Sequence, residues 1–496
     1  MASKVNKRAA VKAPPLQNMS TERQEIEQAV EARIRMRLQL VPTPGQDSFI
    51  RAFARFAAEA EPGMFILKGY AGTGKTTMMS ALTSAFRNIV LLAPTGRAAK
   101  VLATHTGRSA FTIHKHLYRP QVLSDGRTML VLADNPYSRA LFIVDEASMI
   151  PDATAADSDS GFPGVNLLSD LVRYVFSNPG NRLMFVGDTA QLPPVHFEDS
   201  PALDKAHLES RFGRNVRLAE LTEVVRQKQT SVILTNATRL REHIRSEEPI
   251  NHIPNIDLAN DVVRISGNEF PEQLQEKYRS YGAEQVMVVT RSNRSAIQYN
   301  KIIRFQTLWM EDEIGGGDRI LVARNNYFWL PKDHTAGFIA NGDMLEVRKV
   351  YNHEERFGFR FAMAHLTYSD LPDDPPFEAM VLLDALHAES PGIPREQQQQ
   401  LIDALHEHYM SDEPDRRRRS ALLKKDPFFN ALHVKFAYAI TCHKAQGGQW
   451  PVVFVDQGYL TEEQMDKSFY RWLYTAMTRA SHELFLVNFN DKFFGK

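Results

Sequence analysis

A single cysteine, Cys442, stands in the whole chain, which excludes an intramolecular disulfide and any multi-cysteine zinc site. Metal chemistry is left to oxygen ligands and phosphate. Neither sign of charge is in excess, because 59 Lys and Arg are met by 59 Asp and Glu. That balance argues against coating nucleic acid by bulk charge, so any such binding needs a local basic groove. No stretch reaches the ~18 uninterrupted apolar residues of a membrane span. The Lys- and Arg-bearing amino terminus runs into no apolar segment, so the expectation is a cytoplasmic protein with no membrane partner. Apolar material is ample, with 43% hydrophobic and 24% charged residues, and 496 residues exceed one core. Two or more globular domains are expected.

Residues 1–18 mix Lys, Arg, Ala and Pro without periodicity and read as a mobile tail. Ser20 can cap, Glu22 and Glu25 suit a positive helix end, and Ile26, Val30 and Ile34 recur at helical spacing, which predicts a helix from about Thr21 to Leu38. Apolar runs then follow at Met64 to Leu67, Ile89 to Ala93, Leu141 to Val144 and Leu183 to Val186. Each leads into a loop rich in Gly, Asp, Pro or Thr, the pattern of a parallel sheet with chemistry at its strand ends. A second set, Gln285 to Val289, Lys435 to Ile440, Val452 to Val455 and Leu484 to Val487, is split by a long interval that reads as an insertion. Within it Ile320 to Ala323, Met344 to Tyr351 and Phe357 to Leu366 read as hairpin strands, and Arg395 to Leu423 as helix.

Gly69-Tyr70-Ala71-Gly72-Thr73-Gly74-Lys75-Thr76 fits G-x-x-x-x-G-K-[ST] between an apolar strand and a helical segment beginning at Thr77. Its glycines let backbone N–H groups wrap phosphate, Lys75 reaches the β- and γ-phosphates, and the Thr76 hydroxyl ligates Mg²⁺. Asp145 and Glu146 end the third run. Asp145 is assigned to the metal, and Glu146 to the attacking water as general base. Loop and carboxylates together specify ATP hydrolysis with Mg²⁺.

From about Leu40 to Asn488 the chain resembles superfamily-one helicases of the Dda and RecD-like group, through segments in family order. Pro42 to Gln46 resembles the stretch whose Gln reads adenine. Ala93-Pro94-Thr95-Gly96-Arg97-Ala98-Ala99 resembles motif Ia, followed by Thr112-Ile113-His114. Gly187 to Val195 resembles motif III, Leu221 to Gln227 motif IV, Thr441-Cys442-His443-Lys444-Ala445-Gln446-Gly447 motif V, and Tyr474 to Ala480 motif VI. The sequence departs from the family at Gln449, where an acidic residue is usual, and at Tyr70, where Pro or Ala is more common.

The resemblance implies an α/β fold of two RecA-like P-loop domains. The first spans 19–220 with a β-hairpin pin at about 115–137. The second spans 221–496 with an SH3-like barrel and helical insertion at about 311–430. It implies nucleotide contacts from Gln46, Gly69, Gly72, Gly74, Lys75, Thr76, Thr77 and Gly447, and strand contacts from Pro94, Thr95, Arg97, His114, Thr441, His443 and Lys444. Charge builds on the γ-phosphoryl oxygens during hydrolysis, so a motor needs cations that arrive when its halves close. Arg226 and Arg479 suit that task beside Lys75 and Glu146, with Gln191 sensing the γ-phosphate.

Asp125-Gly126 between β-prone residues signals a hairpin within Gln121 to Leu132, and Asn341-Gly342-Asp343 resembles the barrel turn of the family. The implied activity is 5′-to-3′ translocation on single-stranded DNA with unwinding at single-strand/duplex junctions. Replication, recombination or single-strand-binding proteins are the implied partners. An RNA-directed motor and a non-unwinding single-strand-dependent ATPase are the alternatives.

Overall fold

The computed structural model describes residues 16–38, 40–122, 128–153, 165–225, 231–246, 253–331, 334, 338–369, 374–390 and 392–495. The amino-terminal half lays down β1 (Met64–Gly69), β2 (Ile89–Ala93) and β3 (Ala110–Thr112). It departs into an antiparallel hairpin, β4 (Tyr118–Val122) and β5 (Thr128–Leu132), with Tyr118 opposite Leu132. It returns as β6 (Leu141–Val144), β7 (Arg182–Gly187) and β8 (Val216–Leu221). The sheet is parallel throughout in the order β3-β2-β6-β7-β1-β8.

Its four inner strands, β2, β6, β7 and β1, are almost continuously apolar because helices cover both faces. Ile66, Phe142, Val144 and Phe185 pack with Leu168 and Leu171 of the helix Leu167–Val175. Phe65, Leu67, Ile143 and Val186 meet the helices Leu16–Leu38, Pro44–Ala57 and Lys75–Ala85 on the other face. Phe53 lies 5.6 Å from Phe65, ring to ring, and both are fully buried. Cutting such a ring back to Ala costs about 3–5 kcal/mol.

The second half forms β9 (Val262–Ile265) and β10 (Val286–Thr290), then leaves for β11 (Arg319–Val322), β12 (Met344–Arg356), β13 (Phe359–Tyr368), β14 (Phe377–Leu382) and β15 (Leu432–Phe436). It rejoins as β16 (Ala439–Thr441), β17 (Trp450–Asp456) and β18 (Ala480–Val487). The order β16-β10-β17-β18-β9 is again parallel, and β11 to β15 close into a five-stranded barrel. One face of this sheet and the barrel interior share a core through Val288, Phe454, Val322, Leu345 and Val434. At that junction Arg304 grips buried Asp318 with two 2.8 Å bonds, and the Tyr438 hydroxyl donates to the same carboxylate at 3.0 Å. Removing one partner of such a buried pair costs about 3–5 kcal/mol. The helices Arg395–His408 and Arg416–Leu423 rest Leu401, Leu405 and Leu423 on Phe359 and Phe361 of the barrel.

Several expectations need correcting. The run Lys435 to Ile440 is not one strand of the second sheet. It breaks at Ala437-Tyr438, with β15 in the barrel and β16 at the sheet edge. Asn300 fixes the break, its Oδ1 accepting from Tyr438 and Ala439 N–H at 3.0 and 2.9 Å. The first helix starts at Leu16, inside the expected tail; residues 1–15 lie outside the described residues. Strands β3, β8 and β9 were not expected. β3 has three residues, β9 has four, and β8 is an edge strand whose Arg217 and Glu220 hide its alternation. The turn residues Asp125 and Gly126 lie outside the described residues.

Candidate functional site

The loop after β1 depends on glycine at Gly72 and Gly74, whose φ values of +79° and +88° fall in the left-handed region. A Cβ on Gly74 would also come within 2.6 Å of Gln46 Nε2. Thr73 closes the loop by donating its hydroxyl to the Tyr70 carbonyl at 2.8 Å. Lys75 Nζ donates to the carbonyls of Gly69 and Tyr70 at 2.6 and 3.0 Å. An ammonium is thereby held over the start of the helix Lys75–Ala85, where free N–H groups and the helix dipole favour phosphate.

β6 delivers Asp145 and Glu146 beside this loop. The Asp145 carboxylate accepts the Glu146 N–H at 2.9 Å. Burial, then the charge of Glu146, pushes the Asp145 pKa up to about 7, with Lys75 pulling the other way. A hydroxyl from Thr76 and a carboxylate from Asp145 are the hard oxygen donors that suit Mg²⁺, whose other positions go to phosphate and water. A divalent charge there would restore the ionised carboxylate. Among the described residues no group of three or more His, Cys, Asp or Glu could hold a metal, so a cage of protein ligands is not what the site offers.

A cleft of about 500 Å³ separates the two sheets, with Lys75, Thr76, Thr77, Asp145, Glu146 and Gln191 on one wall and Gly447, Gln449 and Arg479 on the other. Arg479 is buried, donating Nε to the Thr475 carbonyl (3.0 Å) and Nη1 to the Gly448 carbonyl (3.1 Å). Gln191 is buried with its Oε1 unpartnered. Gln46 does not line the cleft. Its Oε1 accepts the Thr43 N–H (3.2 Å) in a capping box, and its Nε2 donates to the Thr73 carbonyl (3.2 Å), tying it to the back of the phosphate loop. Arg226 lies outside the described residues.

Sequence reasoning missed how the two halves are joined. The Tyr474 hydroxyl accepts the Ala71 N–H of the phosphate loop (3.0 Å) and donates to buried Asp188 (2.7 Å). Thr475 Oγ1 accepts the Leu192 N–H at 2.9 Å, and Gln446 Nε2 donates to the Leu192 carbonyl at 2.8 Å. Tyr70 sits in the core of the second half with Ala190, Leu192 and Ile233. Its ring lies 4.6 Å beneath the buried guanidinium of Arg241, and its hydroxyl donates to Glu220 at 2.8 Å. Burial, then Glu220, pushes the Tyr70 pKa up to about 12. The one signal in the sequence was that Tyr70 departs from the family. Nothing marked Arg241, an Arg within an ordinary amphipathic helix.

For the strand-stimulated ATPase expected from the sequence, Tyr70→Ala should lower the stimulation several-fold while basal hydrolysis persists. Tyr70→Phe, which keeps the ring and loses one hydrogen bond, should cost only about 1 kcal/mol of stability. ATPase assays with and without oligonucleotide check this, and equal stimulation in parent and Ala variant would dismiss a coupling role.

The residues expected to face a strand divide in two. Thr95 caps the helix Gly96–Thr106, its hydroxyl accepting the Ala98 N–H at 3.2 Å. Arg97 lies 3.9 Å over the Trp450 ring and donates to the Gln449 carbonyl at 3.1 Å, spanning the two halves. Gly447 belongs to the same contact, since a Cβ there would meet Ala98 at 2.8 Å. Burial pushes the His114 pKa down to about 4, which favours the neutral imidazole, and its ring tilts against Tyr118 at 5.9 Å. His443 and Lys444 are exposed, and Thr441 is half-buried. Lys444 Nζ donates to Asn341 Oδ1 at 2.6 Å, which brings the Asn341-Gly342-Asp343 turn of the barrel to the Thr441 segment. Pro94 follows β2 beside Thr95.

Comparison with known proteins adds five matches. A family model described as an AAA domain matches residues 43–256, and one described as a UvrD-like helicase C-terminal domain matches residues 436–487. The ATP-dependent RecD2 DNA helicase of Deinococcus radiodurans is 26% identical over 436 residues, covering 85% of this chain and 46% of that protein. The chain therefore spans about half the length of that relative. Uncharacterized protein R530 of Acanthamoeba polyphaga mimivirus is 22% identical over 510 residues, covering 85% of this chain and 94% of the relative. A crystal structure of the Pif1 helicase from Bacteroides with ADP-AlF3 and ssDNA aligns at 14% identity and a TM-score of 0.45, over 92% of this chain and 94% of the other.

Proposed function

We propose that this chain, which resembles superfamily-one helicases of the RecD-like group, is an ATP-dependent DNA helicase that moves 5′ to 3′ on single-stranded DNA and opens duplex at forks. The observation that carries this reading is the cleft itself. Lys75, Asp145 and Glu146 come from one sheet and Arg479 from the other, so hydrolysis requires both halves. The two motor units are 19–220 and 221–496. The barrel, SH3-like in this reading, and the helices beside it belong to the second.

In the reaction, Lys75 and the loop N–H groups bind and orient the phosphates. Glu146 accepts a proton from the attacking water. Arg479, and Arg226 from the motif IV segment, supply the late positive charge. Thr76 and Asp145 would hold Mg²⁺, which supplies charge neutralisation between the phosphates. Gln191, unpartnered at its Oε1 and next to the Leu192 contacts, is placed to sense the γ-phosphate and pass its presence to the second half. Gln46 serves adenine recognition in this reading if its capping amide turns outward. Thr95, His114, Thr441, His443 and Lys444 form the strand path. Arg97 contributes by holding the halves together.

Strand displacement on forked, 5′-tailed and 3′-tailed duplexes tests the reading, with DNA and RNA oligomers compared as ATPase activators. Preference for 3′ tails would reverse the polarity. Stronger activation by RNA would favour the RNA-directed motor. The hairpin is tested in the same assay. Leu130, Leu132 and Tyr118 pack against the first core, so only residues 121–129 should be exchanged for a Gly-Ser linker. Unwinding is expected to fall at least about tenfold while DNA-stimulated ATPase stays within twofold, because ~1.4 kcal/mol of fork destabilisation lost at the wedge is a factor of ten. Equal unwinding by the linker variant would make this an ordinary surface hairpin.

A further inference from the structure

Away from the nucleotide cleft, a second cavity of about 390 Å³ opens where the end of β16 meets β11 and β15. That volume lies in the range of about 300–1,000 Å³ typical of small-molecule pockets. Its floor is apolar, made by Ile297, Leu321, Phe436 and Ile440. Its walls carry Arg291, Lys301, Lys435 and Lys444 together with His387 and His443, and among the described residues no carboxylate lines it. Glu389, next in sequence to the lining residues Ala388 and Ser390, instead lies 3.9 Å from Arg294. In a chain with 59 acidic and 59 basic residues, a cavity of one sign is a local concentration of positive potential.

Lys435 is fixed in the wall, its Nζ donating to the carbonyls of Ala385 and Ala388 at 2.5 Å each. Burial pushes its pKa down to about 8. The cavity reaches Thr441, His443 and Lys444, the segment assigned to the strand path.

A purely apolar ligand gains nothing from these cations, and a small anion gains nothing from Phe436 and Leu321. A nucleotide unit satisfies both, with a flat apolar base and a phosphate on its flank. We propose that this cavity is a nucleobase pocket on the strand path. As the strand passes Thr441 to Lys444, one base leaves the stack and enters against Phe436 and Leu321, while its phosphate meets Lys301 and Lys444. The proposal rests on the strand-binding reading above and adds a specific base site to it.

The test scans a single abasic site along a fluorescent oligothymidylate and measures affinity for the full chain. One position should weaken binding about tenfold, the lower part of what loss of base stacking gives. With 2-aminopurine at that position, fluorescence should rise on binding as the base unstacks. Ala388→Trp, which places an indole in the cavity while leaving the residues of the Thr441 segment themselves unchanged, should erase the position-specific penalty and the fluorescence rise. Ser390→Trp provides a second block from the same segment if the first variant folds poorly. A flat scan in the parent, or a penalty unchanged in both Trp variants, overturns the pocket alone. Failure to bind the intact oligomer at all overturns the strand-binding reading together with the pocket.

Discussion

Lys75→Ala is expected to reduce ATP turnover by about 10³-fold or more, the scale on which cations act at a transferring phosphoryl group. The ammonium already sits 2.6 and 3.0 Å from the Gly69 and Tyr70 carbonyls. It is therefore pre-positioned at the helix start and needs no large rearrangement to meet the β- and γ-phosphates. Single-strand binding should persist, since the residues proposed for the strand path, Thr95, His114, Thr441, His443 and Lys444, do not line the nucleotide cleft. Glu146→Gln is the companion variant. It keeps the side-chain shape but removes the proton acceptor, so cleavage should fall by about 10²–10⁴ while ATP still binds. Phosphate release and fluorescent-nucleotide binding separate the two effects. Near-normal turnover in either variant would remove these residues from the site, and an unchanged melting temperature guards against reading a loosened loop as lost chemistry.

Arg479→Ala should act on hydrolysis with comparable force, because a late cation on the γ-phosphoryl oxygens is worth about 10³–10⁵ in kcat. Its guanidinium is buried in the second half and already holds the Thr475 and Gly448 carbonyls at 3.0 and 3.1 Å. In the proposed reaction, closure would exchange these neutral acceptors for phosphate oxygens with little side-chain entropy left to lose. Nucleotide affinity should change only a few-fold, since the charge matters most where negative charge builds up. Arg479→Lys should rescue poorly, because an ammonium cannot reproduce the planar fork. A variant whose loss lies entirely in nucleotide affinity would contradict the closing-cation role. Single-turnover measurements at saturating ATP make that distinction.

The sequence by itself determined those parts whose chemistry is local. Strands buried on both faces must be continuously apolar, so the interior of the first sheet was visible as four runs, Met64 to Leu67, Ile89 to Ala93, Leu141 to Val144 and Leu183 to Val186. A loop that wraps phosphate needs glycine at fixed spacing, so Gly72, Gly74 and Lys75 were legible from residue type alone. Edge strand β8 and three-residue β3 were not, because their signal lies in pairing partners far along the chain. The split of Lys435 to Ile440 was equally hidden, since it depends on Asn300 reaching two backbone N–H groups more than a hundred residues away.

Only the tertiary structure decided what the named side chains do with their neighbours. Arg97 carries the same charge wherever it sits, yet here it is stacked on Trp450 between the halves. Tyr70 looked like a mere departure from the family pattern until the chain brought Arg241 over its ring and Glu220 to its hydroxyl. The cavity beside the barrel has no sequence signature at all. Its cations come from separated segments, and one-signed potential arises only when folding gathers them around a common space while leaving the carboxylates elsewhere.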